Sequence, residues 1–191
     1  MHGLVLVLQE HEDEYAILCL GLSRSGKTTL LQHLVGESPA GATATDPTTG
    51  FNMKTIPLSN LYPETGVMAG KSLSVKEIGG SKAVRPFWSN YFQNKHAIMF
   101  VVNSAASDQE LQTSKNALID VLADQRVKDK PFLIVGTHSD VAGARDAAQL
   151  QQFFSDVMRN QCWSARSCCS FNEEQVKSVL QVLIDLIIEK K

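Results

Sequence analysis

The residues whose types and spacing carry the clearest chemistry are Gly21-Leu22-Ser23-Arg24-Ser25-Gly26-Lys27-Thr28, a match to G-x-x-x-x-G-K-[ST]. Gly21 and Gly26 let the main chain wrap closely around phosphate oxygens, with N–H groups turned inward. A helix starting at the loop adds the positive end of its dipole. Lys27 is placed to reach the outer phosphates of a nucleotide, and the Thr28 hydroxyl can meet Mg2+. Ser23, Arg24, Ser25 and Thr29 complete the cradle.

Such a loop needs a strand before it and a helix after it. Tyr15 to Leu20 is short and apolar and reads as a buried strand of a parallel sheet. Thr28 to Val35 sets Leu30, Leu31, Leu34 and Val35 on one helical face, and Gly36 ends the run. The glycines therefore lie on a strand-to-helix turn.

At 191 residues the chain fits one domain that buries about 70% of its unfolded surface. A net charge of −2 with mixed signs offers no basic field for nucleic acid. Cys19, Cys162, Cys168 and Cys169 lack paired C-x-x-C spacing, so free thiols are expected rather than zinc. No signal peptide is expected, no N-myristoyl glycine with His at position 2, and no apolar run of the roughly 20 residues a membrane span needs. Leu4 to Leu8 reads as an extra strand or a small membrane-surface anchor.

From Gly36 to Thr49 runs a loop without apolar periodicity, a length usually tied to function. Gly50 to Leu58 and Ser72 to Ile78 alternate as two strands of an edge hairpin around a turn rich in Pro and Gly. Lys82 to Asn94 is a helix-like aromatic segment, and Ala97–Val102 and Pro131–Val135 are buried strands. Ser107 with Glu110 forms a capping box, Asp146 to Met158 reads as a helix, and Cys162 to Cys169 holds a weak strand. The last helix is capped by Asn172 with Gln175 three residues on. Strands alternating with helices place the site at the carboxyl ends of a mostly parallel sheet.

The loop at Gly21–Thr29, the run Pro47-Thr48-Thr49-Gly50-Phe51-Asn52 and the run from Arg85 to Asn94 together resemble an Arf-like small GTPase. Glu77-Ile78-Gly79-Gly80 and the pattern after Phe132 resemble the family's divergent branches. The resemblance implies an α/β three-layer P-loop NTPase fold: a mostly parallel six-stranded sheet with one antiparallel edge hairpin and helices on both faces. It implies a single domain over residues 1–191, with 1–13 a short N-terminal extension. GTP or GDP and Mg2+ are the implied cofactors. By the match, Thr48 is the second protein ligand to Mg2+ and senses the γ-phosphate, and Gly80 offers its N–H to the same group. Phe51 and Tyr91 correspond to aromatics that effectors contact, whereas from the residues alone both read as core positions. The resemblance also implies effectors at the switch loops and hairpin, an exchange factor, a GTPase-activating protein, and a cytoplasmic chain peripheral on an intracellular membrane.

The departures are as informative. Glu77 stands where the family has aspartate, one methylene longer, which disturbs the link to Mg2+. Ser81 stands where a glutamine orients the attacking water and is too short for that, so intrinsic hydrolysis is expected to be slow. Lys76 replaces a tryptophan, so effector choice is expected to differ. The base-reading Asn-Lys-x-Asp is Thr137-His138-Ser139-Asp140. Asp140 can still accept two charge-assisted hydrogen bonds from guanine, roughly 1.5–3 kcal/mol each, while Thr137 cannot stand in for the asparagine amide and His138 is positioned to stack on the base. By the resemblance, the last base-contacting loop lies within Ser167-Cys168-Cys169-Ser170, at Cys169 and Ser170.

Three functions are distinguished by these residues. The first is a guanine-nucleotide switch with slow turnover. The second is an interaction module with weak or structural nucleotide, favoured by Ser81 and Thr137 and disfavoured by Lys27, Thr28 and Thr48. The third, a small-molecule kinase, needs an arginine-bearing lid that the isolated Arg145 and Arg166 do not make.

Overall fold

The structure is a computed structural model that describes residues 14–37, 48–60 and 70–190. The Leu4–Leu8 stretch, the middle of the 36–49 loop and most of the hairpin turn lie outside the described residues. The elements are β1 (Glu14–Leu20), α1 (Lys27–Leu34), β2 (Phe51–Pro57), β3 (Ser72–Ile78), β4 (Ala97–Asn103), α2 (Asp108–Leu122), β5 (Phe132–Thr137), α3 (Ala147–Phe154), β6 (Trp163–Ser167) and α4 (Glu173–Glu189).

The six strands lie in the order β2-β3-β1-β4-β5-β6. Five run parallel, and β2 pairs antiparallel with β3 at the edge. This is the α/β three-layer arrangement expected, and alternation within the strands explains both covered faces. In β1, Tyr15, Ile17 and Cys19 point to the face packed by α1 and α4, while Leu18 and Leu20 point to the face packed by α2 and α3. Met99, Val101, Leu133 and Val135 continue the first face, and Ile98, Phe100, Phe132 and Ile134 the second.

Two helix starts follow the sequence closely. Ser107 and Glu110 form the reciprocal capping box of α2, and Asp146 with Gln149 forms that of α3. The expected helix from Asp146 to Met158 is shorter, since α3 ends at Phe154. Met158 is still fully buried, so its apolar spacing reports a core contact from a turn. The Lys82–Asn94 segment holds a 3₁₀ helix, Arg85–Tyr91, anchored by Trp88, whose indole N–H donates to Gly79 O at 2.9 Å. No helix among the described residues is long and apolar enough to cross a membrane.

Candidate functional site

The loops that leave β1, β3, β5 and β6 at their carboxyl ends meet over the N-terminus of α1, where an open parallel sheet places its ligand. Gly26, with a left-handed φ of 83°, stands at the N-cap of α1, and no side chain caps the helix. Its first N–H groups are therefore free to meet an anion. Gly21 has a φ of 144°, and a Cβ there would stand 2.1 Å from Val101 O. Only glycine permits that approach.

Lys27 is 5% exposed, and its ammonium donates to Gly21 O and Leu22 O, both at 2.9 Å, and to Ser25 Oγ at 3.5 Å. Burial lowers its pKa, with the charge of Glu77 opposing the shift. A buried cation satisfied by the carbonyls of its own loop, beside an uncapped helix end, fits a polyphosphate. Ser23 and Arg24 are exposed on the loop, Arg24 with a φ of 61°, while Ser25 is buried beneath it. Thr29 turns into α1, and its carbonyl stands 2.8 Å from His33 Nδ1.

Thr28 and Thr48 converge although 20 residues separate them. Their hydroxyl oxygens are 3.4 Å apart, and Thr28 Oγ1 donates to Glu77 Oε1 at 2.5 Å. Thr48 Oγ1 is 3.5 Å from the same carboxylate oxygen, and Asn52 Nδ2 donates to the other at 3.2 Å. These hydroxyl and carboxylate oxygens are hard donors of the kind Mg2+ takes. The longer side chain of Glu77 brings its carboxylate onto the two hydroxyls. Asn52, which the sequence reading missed, was readable from the hairpin, because it sits opposite Glu77 in the antiparallel register.

Gly79 and Gly80 link these two groups. A Cβ on Gly79 would lie 2.2 Å from Thr48 O, and one on Gly80 would lie 2.2 Å from Gly21 O. Ser23 N–H donates to Gly80 O at 3.2 Å. The segment after β3 is thus pressed between the Thr48 loop and the phosphate loop. Ser81 is partly exposed, and its carbonyl accepts from Val84 and Arg85 N–H as the 3₁₀ segment begins.

At the other end of the cleft, Thr137 is 1% exposed. Its hydroxyl donates to Ser25 O at 2.7 Å and lies 3.2 Å from Val102 O. Thr137 is thus a strut between β5 and the phosphate loop, a role invisible in the motif because Ser25 is 112 residues away. His138 has a φ of 60°, and its Nδ1 is 2.7 Å from the Thr137 hydroxyl. Asp140 is exposed. The Cys169 thiol is pushed up by burial, with a hydrogen bond to the Asp140 carboxylate adding to the shift. Cys168 is core, and burial raises it to about 12.

Gln175 corrects another expectation. Asn172 caps α4 by accepting from Gln175 N–H, but the Gln175 side chain does not return to the cap. Its Oε1 accepts from Cys169 N–H at 2.7 Å and from the Ser139 hydroxyl at 3.3 Å. One amide therefore ties together the two loops bearing Asp140, Cys169 and Ser170.

Phe51 is 51% exposed, against the core reading its alternation gives. Its ring lies 6.1 Å from that of Tyr91, and Lys76 Nζ stands 4.7 Å from the first ring centroid and 5.4 Å from the second. The lysine that removes an aromatic from this surface holds the remaining two by cation–π contact.

Comparison with known proteins gives a consistent outcome. The model of the ADP-ribosylation factor family matches residues 1–187. The chain is 34% identical over 179 residues to ADP-ribosylation factor-like protein 15 of Mus musculus, covering 93% of this chain and 81% of that protein. Identity to ADP-ribosylation factor-like protein 3 of Caenorhabditis elegans is 31% over 180 residues, covering 91% and 90%. Among solved structures, the Arl6 BBS3 small GTPase from Trypanosoma brucei with bound nucleotide analogue GppNp superposes with a TM-score of 0.76 at 23% identity, covering 93% of this chain and 99% of that one. That likeness shows a shared fold.

Proposed function

Since the chain belongs to the ADP-ribosylation factor family, we propose that it is a guanine-nucleotide switch, a single small-GTPase domain over residues 1–191 with 1–13 as an N-terminal extension. The observation that carries this reading is the convergence of Lys27, Thr28, Thr48, Glu77 and Gly80 on the uncapped start of α1. The loop N–H groups from Ser23 to Thr29 and the Lys27 ammonium hold the phosphates. Thr28 and Thr48 hold Mg2+, which when bound neutralises charge on the outer phosphates. Asp140 accepts from guanine, while Cys169 and Ser170 border the base and Thr137 and His138 brace the loop beneath it.

Thr48 and Gly80 belong to two segments already in contact through Gly79. A γ-phosphate that holds both orders one surface, and its loss releases it. Effectors read that surface at Phe51 and Tyr91, where Lys76 favours partners that bring a carboxylate to the aromatic pair. An exchange factor, a GTPase-activating protein and peripheral membrane association in the cytoplasm complete the proposal, with a role in membrane traffic or signalling.

The test is calorimetric titration of nucleotide-free protein with a non-hydrolysable GTP analogue, GDP and ATP, with and without Mg2+. Tight, Mg2+-dependent, guanine-selective binding is expected. Equal weak binding of all three would instead favour the interaction module that Ser81 and Thr137 allow. In the same titration Asp140→Ala is expected to lower the preference for guanine over adenine by roughly 100-fold, because two bonds of at least 1.5 kcal/mol are lost.

Turnover has its own test. Ser81→Gln is expected to raise single-turnover GTP hydrolysis by on the order of 10- to 100-fold, because the longer amide can hold water against the γ-phosphate. A flat rate would place the defect at Glu77 or in the loops instead.

A further inference from the structure

We propose that Glu77 is a direct ligand to the divalent cation, sharing it with Thr28 and Thr48. The proposal rests on the reading of this cleft as a nucleotide and Mg2+ site. The three oxygens form a triangle with edges of 2.5, 3.4 and 3.5 Å. Mg2+ holds octahedral oxygens at about 2.0–2.1 Å, which places neighbouring ligands roughly 3 Å apart. The edges straddle that value, so one cation can touch all three with little movement.

Electrostatics points the same way. Glu77 is 2% exposed, and among the described residues it forms no salt bridge. Lys27, whose charge reaches it, spends its own hydrogen bonds on Gly21, Leu22 and Ser25. A buried carboxylate without an ion-pair partner is costly unless a cation coordinates it. Asn52 fixes Oε2, which leaves Oε1 turned toward the two hydroxyls. An aspartate would end about 1.5 Å short, one carbon–carbon bond, leaving room for a water between carboxylate and cation. Glutamate closes that gap, so the metal loses one water and gains a charged ligand.

The experiment counts waters. Full-length wild type and Glu77→Asp are loaded with a non-hydrolysable GTP analogue and Mn2+, so that the Thr48 segment is closed, and metal-bound water is counted from the line broadening that ¹⁷O-water causes in the Mn2+ electron paramagnetic spectrum. Wild type is expected to hold one water fewer than Glu77→Asp and to bind Mn2+ at least about 10-fold more tightly. GDP affinity in EDTA is expected to be the same in both. Equal water counts with normal Mn2+ and analogue binding would overturn the direct bond and leave the nucleotide site standing. Failure of both proteins to bind Mn2+ with the GTP analogue would overturn both readings. Should the variant not fold, wild type carrying ¹³C in its glutamate carboxylates answers alone: a strong ¹³C–Mn2+ coupling is expected, and its absence refutes the proposal.

Discussion

Thr28→Asn is expected to weaken Mg2+-dependent nucleotide binding by about 100-fold or more, the upper end of what loss of a metal-site partner costs. The Thr28 hydroxyl sits 2.5 Å from Glu77 Oε1 and 3.4 Å from Thr48 Oγ1, at the point where the phosphate loop and the Thr48 segment meet. An asparagine side chain is longer, and its amide N–H turns to the Glu77 carboxylate. That places a donor where the cation needs a lone pair. The loss can be read by thermal unfolding at a nucleotide concentration 100 times the wild-type Kd. There wild type gains about 2.7 kcal/mol, while a variant 100-fold weaker gains only about 0.4 kcal/mol. Equal stabilisation of both proteins would remove Thr28 from the site.

What the sequence made legible was what local chemistry decides. Ala97–Val102 and Phe132–Val135 are apolar on both faces and are central strands packed from both sides. Ser107 announces its helix by capping chemistry, which needs only the next three residues. The phosphate loop is equally local, since strand, glycines and helix are consecutive.

What the sequence could not show shares one physical cause: side chains used at a distance. Gln175 satisfies the spacing of a capping box, yet its amide reaches back to Cys169 and across to Ser139. Thr137 looks like a lost base contact until the fold brings Ser25 beneath it. Lys76 reads as a deleted aromatic, and only the neighbouring strand and the 3₁₀ segment turn it into the link between Phe51 and Tyr91. Glu77 reads as a misfit by one methylene, and the hairpin register then supplies Asn52 to hold it. Each is a nonlocal contact whose residue type, taken alone, suggests loss.

Gly80→Ala is expected to lower affinity for a GTP analogue by about 10- to 100-fold while leaving GDP binding within roughly threefold. A Cβ at position 80 would meet Gly21 O at 2.2 Å, Leu22 C at 2.4 Å and Ser23 N at 2.5 Å. All three are backbone atoms of the phosphate loop, which cannot yield without opening the cradle. Relief comes from the other side: residues 79 and 80 move off the loop, and the Ser23 to Gly80 hydrogen bond is lost. Thr48 moves with them, because Gly79 N–H donates to Gly50 O at 2.9 Å and Gly79 packs against the Thr48 carbonyl. Overpacking of this kind costs about 1–3 kcal/mol, borne only by the state in which the segments are closed. A ligand that needs closure loses that amount, whereas one held by the phosphate loop alone loses little. Gly50→Ala is the control, since a Cβ there meets nothing within 4 Å. It lies in the same segment and is expected to bind both nucleotides as wild type does. Equal weakening of the analogue and GDP by Gly80→Ala would mean that the phosphate loop, and not closure, bears the strain; no weakening of either would mean that closure of this segment is not what the γ-phosphate selects.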